Sequence, residues 1–95
     1  MILQIIRLKS ALSEEELLKR AKQREPQFQA LPGLLQKYYV KTGKEGEFGG
    51  IYVWDSQESL QAFRKSDLAK SIPGAYEVSE VPDIETLDIL FQLRN

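Results

Sequence analysis

Lys37, Tyr39 and Tyr52 are the side chains whose types and spacing could do proton chemistry in this sequence. Lys37 and Tyr39 lie two apart in a run rich in aromatic and branched residues, LLQKYYVKT at 34–42. Tyr52 stands in a second such run, FGGIYVW at 48–54. Residues two apart in a strand share a face. If the turn at 43–46 closes a hairpin, position i pairs with 89 − i, so Lys37 faces Tyr52, Tyr39 faces Gly50 and Leu35 faces Trp54. One sheet face then carries Leu35, Lys37, Tyr39, Phe48, Gly50, Tyr52 and Trp54. The other carries Gln36, Tyr38, Val40, Gly49, Ile51 and Val53. The first face has the make-up of a small-molecule pocket: aromatic walls, one lysine and an open patch at Gly50. A lysine held there loses hydration, which favours its neutral, basic form. A neutral lysine or an ionised tyrosine can take a proton. The plainer alternative is a packed core with a lysine reaching out to the sheet edge.

Composition narrows the chemistry further. The 95 residues contain no His and no Cys. That excludes disulfides, Cys/His zinc sites, a proximal-His haem and the Ser-His-Asp and Cys-His constellations. A metal would need oxygen ligands alone, and no metal site or cofactor is expected. Thirteen Lys+Arg stand against 14 Asp+Glu, a net charge of −1, which argues against electrostatic binding to nucleic acid or a membrane surface. The apolar stretch at Ile2–Ile6 is too short for a signal-peptide core or a membrane span. The absence of cysteine fits a cytoplasmic protein.

The elements that must position these residues can be read along the chain. Ile2–Leu8 reads as a strand. Ser13-Glu14-Glu15-Glu16 is a capping box that opens a helix, with Leu17, Leu18, Ala21 and Phe28 at helical spacing and a break or kink expected near Pro26. Lys19, Arg20, Lys22 and Arg24 read as a solvated helix face. Leu31-Pro32-Gly33 ends the helix, and Leu34–Thr42 and Phe48–Trp54 form the hairpin. Gly49-Gly50 in mid-strand marks a bulge or a close approach. Asp55 or Ser56 caps a second helix carrying Leu60 and Phe63, and the Asp55/Glu58 pair reads as capping. A short turn or helix at Asp67–Ser71 leads to Ile72-Pro73-Gly74, which resembles the earlier Leu-Pro-Gly stop. Ile84–Leu93 is the last strand.

The order β-α-β-β-α-β predicts a single domain over residues 1–95 of the α+β class, ferredoxin-like, with a four-stranded antiparallel sheet. Two helices cover one sheet face. The first and last strands carry apolar residues on both faces, so the open face calls for a partner, most economically a second copy. A homodimer is expected. The same fold hosts RNA-recognition modules, but Gly50 and Val53 stand where their third strand carries stacking aromatics, and the first strand has no aromatic.

The stretch Leu31-Pro32-Gly33-Leu34-Leu35-Gln36-Lys37-Tyr38-Tyr39, followed by Gly49-Gly50-Ile51-Tyr52-Val53-Trp54, resembles the YdhR-type monooxygenases. These belong to the dimeric α/β-barrel superfamily, with the antibiotic-biosynthesis monooxygenases. The resemblance covers about residues 31–63 and implies ferredoxin-like monomers whose sheets pair into a barrel. It implies a cofactor-independent monooxygenase acting on a small phenol- or quinol-like aromatic between sheet and helices. In such a scheme the substrate loses a proton, gives an electron to O2 and recombines with it. On this chain the implied roles are Lys37 as base or charge stabiliser, Tyr39 and Tyr52 as hydrogen-bonding groups, and Leu35, Gly50, Trp54 and Phe63 as substrate-binding wall. The Asn/Trp/Arg set of the polyketide-modifying relatives has no clear counterpart, the sole Asn being Asn95. The alternative is a non-catalytic dimeric binding module that uses the same pocket.

Overall fold

The computed structural model describes residues 1–94; Asn95, noted above, lies outside the described residues. The chain runs β1 (Ile2–Lys9), α1 (Glu14–Gln29), β2 (Leu34–Lys41), β3 (Glu47–Trp54), α2 (Gln57–Lys65), α3 (Asp67–Lys70), α4 (Ile72–Ala75) and β4 (Asp83–Asp88). The strands form one antiparallel sheet in the order β2-β3-β1-β4. This is the expected ferredoxin-like α+β arrangement.

Period-two burial shows which face the helices cover. Ile2, Gln4, Ile6 and Leu8 of β1 are buried. They pack with Leu17, Ala21 and Phe28 of α1 and with Leu60 and Phe63 of α2. Gln4 is tolerated there because its Oε1 accepts a hydrogen bond from Trp54 Nε1 at 2.9 Å, which satisfies both buried groups. The caps are as read. Ser13 Oγ accepts from Glu16 N–H at 3.1 Å, and Ser56, rather than Asp55, caps α2 through Ser59 N–H at 3.2 Å. Asp55 instead accepts from the Ser59 hydroxyl at 2.7 Å, which holds its carboxyl below the usual carboxylate range.

Four expectations are corrected. Helix α1 does not break at Pro26 but runs on to Gln29. The proline removes a single ladder bond near the helix end, and buried Phe28 holds the last turn down. Leu35 does not pair with Trp54. Leu34 does, and the register slips between Leu34 and Gln36, so the hairpin's bulge is here and not at Gly49-Gly50. The two Pro-Gly phrases also differ. Gly33 turns the chain at φ +80°, whereas Ile72-Pro73-Gly74 is itself a helical turn. Finally, β4 stops at Asp88 and does not reach Leu93. Asp88 pairs with Ile2, the first residue of β1, so the neighbouring strand runs out; one further bond joins Ile89 N–H to Met1 O at 3.0 Å. Beyond it Leu90, Phe91 and Leu93 are exposed.

The uncovered sheet face carries an apolar patch beside the ion pairs of Arg7 with Asp83 and Glu85. Leu3 pairs with Val53 on one side and Leu87 on the other, and Ile5 pairs with Ile51, whose other neighbour is Tyr38. Tyr38 and Leu87 are exposed.

Candidate active site

The covered face positions the proton-handling residues. Strands β2 and β3 place Lys37 opposite Tyr52 and Tyr39 opposite Gly50, as the hairpin arithmetic requires. Helix α1 lays Phe28 across them. Lys37 Nζ then sits 3.5 Å from the Phe28 ring centroid, 4.3 Å from Tyr39 and 4.6 Å from Tyr52. Gly50 makes this possible: a Cβ there would lie 3.0 Å from Tyr52 Cε1 and 3.4 Å from Lys37 Cε.

Two effects compete on this amine. Aromatic faces favour the ammonium; loss of water disfavours it. Burial dominates, and with the nearby Arg24 charge it brings Lys37 down to about 7. The phenols move the opposite way. Burial pushes Tyr39 up to about 12, and pushes Tyr52 and Tyr76 upward too, although the Arg24 charge opposes the shift at Tyr76. Near neutral pH the site therefore pairs an available amine with phenols that keep their protons and can donate hydrogen bonds.

An apolar cavity adjoins this group, lined among others by Ile6, Leu17, Phe48, Ile72 and Tyr76 together with Lys37, Tyr39, Gly50 and Tyr52. Its volume is about 30 Å³, enough for one or two waters. Outside it lies a groove of about 270 Å³ lined by Glu25, Phe28, Gln29, Leu34, Leu35 and Gln36. Lys37 and Tyr39 line both spaces. They stand where cavity and groove meet.

Of the seven residues singled out from sequence, Lys37, Tyr39, Tyr52 and Gly50 come together at the cavity. Leu35 does not reach it; displaced by the bulge, it is exposed and lines the outer groove. Trp54 and Phe63 are buried in the core behind Tyr52. Trp54 stacks on it at 6.0 Å and 3°, and Phe63 packs at 5.4 Å. They fix the Tyr52 ring and do not line the cavity. Three residues were missed. Phe28 roofs Lys37. Arg24, read as solvated, lies over the rings of Phe28 and Tyr76 at 5.8 and 5.6 Å. Tyr76 lines the cavity. Arg24 and Phe28 are four apart on α1 and so share a face, a signal the sequence held.

Comparison with known proteins agrees with this fold. The family described as "Putative mono-oxygenase ydhR" matches residues 2–85. The chain belongs to this family. Among solved structures, this YdhR-family chain is similar to a protein of unknown function from Nitrosomonas europaea (TM-score 0.79, 21% identity, covering 99% of this chain and 93% of that one). It is also similar to a "putative antibiotic biosynthesis monooxygenase" from Bordetella bronchiseptica (0.78, 14%, 95% and 97%). A third is SnoaB, a cofactor-independent oxygenase from Streptomyces nogalater (0.75, 12%, 99% and 97%). At these identities the likeness establishes the fold. No curated protein matches the chain at a significant level. Among the described residues no helix is long and apolar enough to cross a membrane, and no group of three His, Cys, Asp or Glu could hold a metal ion.

Proposed function

We propose that this YdhR-family chain oxygenates a small phenol- or quinol-like aromatic with O2, in the space that Lys37 and Tyr39 line. The observation that carries the reading is the pairing of a lysine brought down to about 7 with tyrosines pushed upward. In this reading neutral Lys37 takes the substrate's phenolic or enolic proton. The anion passes one electron to O2, and the resulting radical and superoxide join through a new C–O bond. The Lys37 ammonium returns its proton to that peroxide; the oxygenated carbon then loses its hydrogen as a proton while the O–O bond breaks, so a carbonyl forms, one oxygen atom enters the product and the other departs as water. Tyr39 and Tyr52 donate to the oxyanion as it forms, a contribution that a dry site strengthens. Gly50 leaves room for the ring, and Trp54 and Phe63 act through Tyr52 by holding it in place.

Oxygen uptake with a panel of hydroquinones and anthrone-like phenols tests the reading. Enzyme-dependent uptake with at least one of them supports it. No uptake with any leaves a non-catalytic binding module.

The active form in this reading is a homodimer joined through the open sheet faces. The row of Leu87, Leu3 and Val53, beside Ile5, Ile51 and Tyr38, is an apolar patch edged by Gln36, Arg7 and Glu85, of the kind that marks an interface. Ile51→Arg is expected to give a monomer by light scattering at micromolar concentration, where wild type runs as a dimer. A monomeric wild type would refute the dimer.

A further inference from the structure

The helix-covered side of the sheet has a second opening, away from Lys37. Ile84 pairs with Ile6 and so points to the helix side, yet it is 47% exposed where Ile6 is buried. Strand β4 lies at the sheet edge, and its helix-side face is left half bare. A groove of about 280 Å³ results, floored by Gln4 and Ile6 and walled by Phe63, Ile72, Pro73 and Ile84. Two exposed cations, Arg64 and Lys70, also border it, where water solvates their charge. Lys37, Tyr39 and Tyr52 do not line it.

Gln4 is out of place in this floor. It is the one polar side chain in the buried row of Ile2, Gln4, Ile6 and Leu8, and it is 1% exposed. Trp54 Nε1 can only donate, so the Gln4 amide must turn its oxygen toward it, and the two meet at 2.9 Å. The NH2 end therefore points away from Trp54. Among the described residues it donates to no acceptor, and it is not sealed from solvent. The opening left to it is the groove that Gln4 lines. Buried amides are normally satisfied at both ends; this one keeps a donor for whatever occupies the groove.

We infer that this groove is a second binding site, and that its ligand is a small apolar carbonyl compound seated with its oxygen on the Gln4 NH2. Apolar walls take the body of the molecule and one inward donor fixes its orientation, the pattern of a small-molecule site. A carbonyl oxygen only accepts, which matches an NH2 that only donates. A ligand of the same shape without that oxygen leaves the donor dry, which costs affinity. The site is independent of the oxygenase reading, since none of the proton-handling residues lines it. It shares Ile6 and Ile72 with the cavity beside Lys37.

The test is an NMR titration with acetophenone and α-methylstyrene, which share a shape and differ in C=O against C=CH2. In wild type both are expected to shift the backbone amides of Ala69 and Ile84 and to leave those of Lys37 and Tyr39 unmoved. Acetophenone alone should move the Gln4 side-chain NH2 signals downfield. Gln4→Met keeps the length and removes the donor, so the ratio of acetophenone to α-methylstyrene affinity should fall about fivefold or more. Taking the ratio cancels the ligands' own hydration and any general loosening of the groove. Ile84→Trp, at a half-exposed position, fills the groove and should abolish binding of both. Circular dichroism confirms that each variant is folded; if Gln4→Met is not, the Gln4 signals in wild type decide alone. No shift around Ile84, equal movement of the Gln4 signals with both probes, or an unchanged ratio in Gln4→Met would each overturn the inference and leave water as the partner of the NH2. Neither probe is a phenol, so the outcome is separate from that of the oxygen-uptake assay.

Discussion

Lys37→Met is expected to lose at least about 100-fold in kcat/KM for oxygen uptake, the lower end of what a positioned general base contributes, while melting higher than wild type at pH 6. The two effects share one cause. The lysine is held where water cannot solvate its charge, so its amine is free near neutrality, and the fold bears the cost whenever it is protonated. The sign follows from linkage. The folded-state value, about 7, lies below the ordinary lysine value of about 10.4, so between them the unfolded chain binds more protons and stability rises with pH. The penalty is therefore full below about pH 7 and fades as pH climbs toward 10. Methionine, of similar length and uncharged, removes it. Partial exposure and the three aromatic faces offset much of the cost, leaving about 1–2 kcal/mol in favour of the variant at pH 6. For a domain of this size that is roughly 5–15 °C in Tm, and the difference should close by pH 10. Wild-type kcat/KM should rise with pH through about 7 as the amine loses its proton. A fall through the same range would make Lys37 a stabiliser of the anion and not the base. Equal oxygen uptake by the two proteins would remove Lys37 from the chemistry altogether.

Most of this site was legible because a hairpin carries it. Period-two alternation and a short turn are local properties, and they place Lys37 against Tyr52 and Tyr39 against Gly50. The arithmetic failed at Leu35, where one extra residue in β2 shifts the register; a bulge changes a pairing without leaving a sequence mark. The last strand was overextended for a related reason. Residues 89–93 have strand-like composition, but where β4 ends depends on where β1 begins, a tertiary fact. Arg24 and Tyr76 were missed because their roles arise where α1 meets the α4 turn, two segments some fifty residues apart whose approach no local pattern encodes. The apolar face of α1 was readable, whereas the use of a cation at its margin was not. The same limit explains Trp54 and Phe63. Their apolar, inward-facing character was plain, but depth behind Tyr52 decides whether such a residue touches a ligand or braces one that does.

Gly49 and Gly50 are adjacent, identical and expected to answer substitution in opposite ways. A Cβ at Gly49 would lie 2.5 Å from the backbone oxygen of Ile6. That oxygen belongs to β1, the strand that pairs with both β3 and β4, and it cannot move without opening the centre of the sheet. Gly49→Ala should therefore cost about 2–4 kcal/mol, in the range for forced overpacking or a central backbone shift, and lower Tm by roughly 10–25 °C. At Gly50 the new methyl meets only side chains, the Tyr52 ring edge and the Lys37 stem. Lys37 is flexible and already stands between cavity and groove, so it yields first. Gly50→Ala should leave Tm within a few degrees of wild type while displacing the amine and cutting kcat/KM about tenfold or more, since small errors in position are costly in a preorganised site. The contrast separates the two reasons a strand can hold a glycine. At Gly49 a neighbouring backbone needs the space; at Gly50 the absent side chain is what allows a lysine and a tyrosine to share one pocket. If Gly49→Ala melts with wild type, the close approach to Ile6 carries no stability. Full activity in Gly50→Ala would show that the ring does not occupy the space beside Lys37.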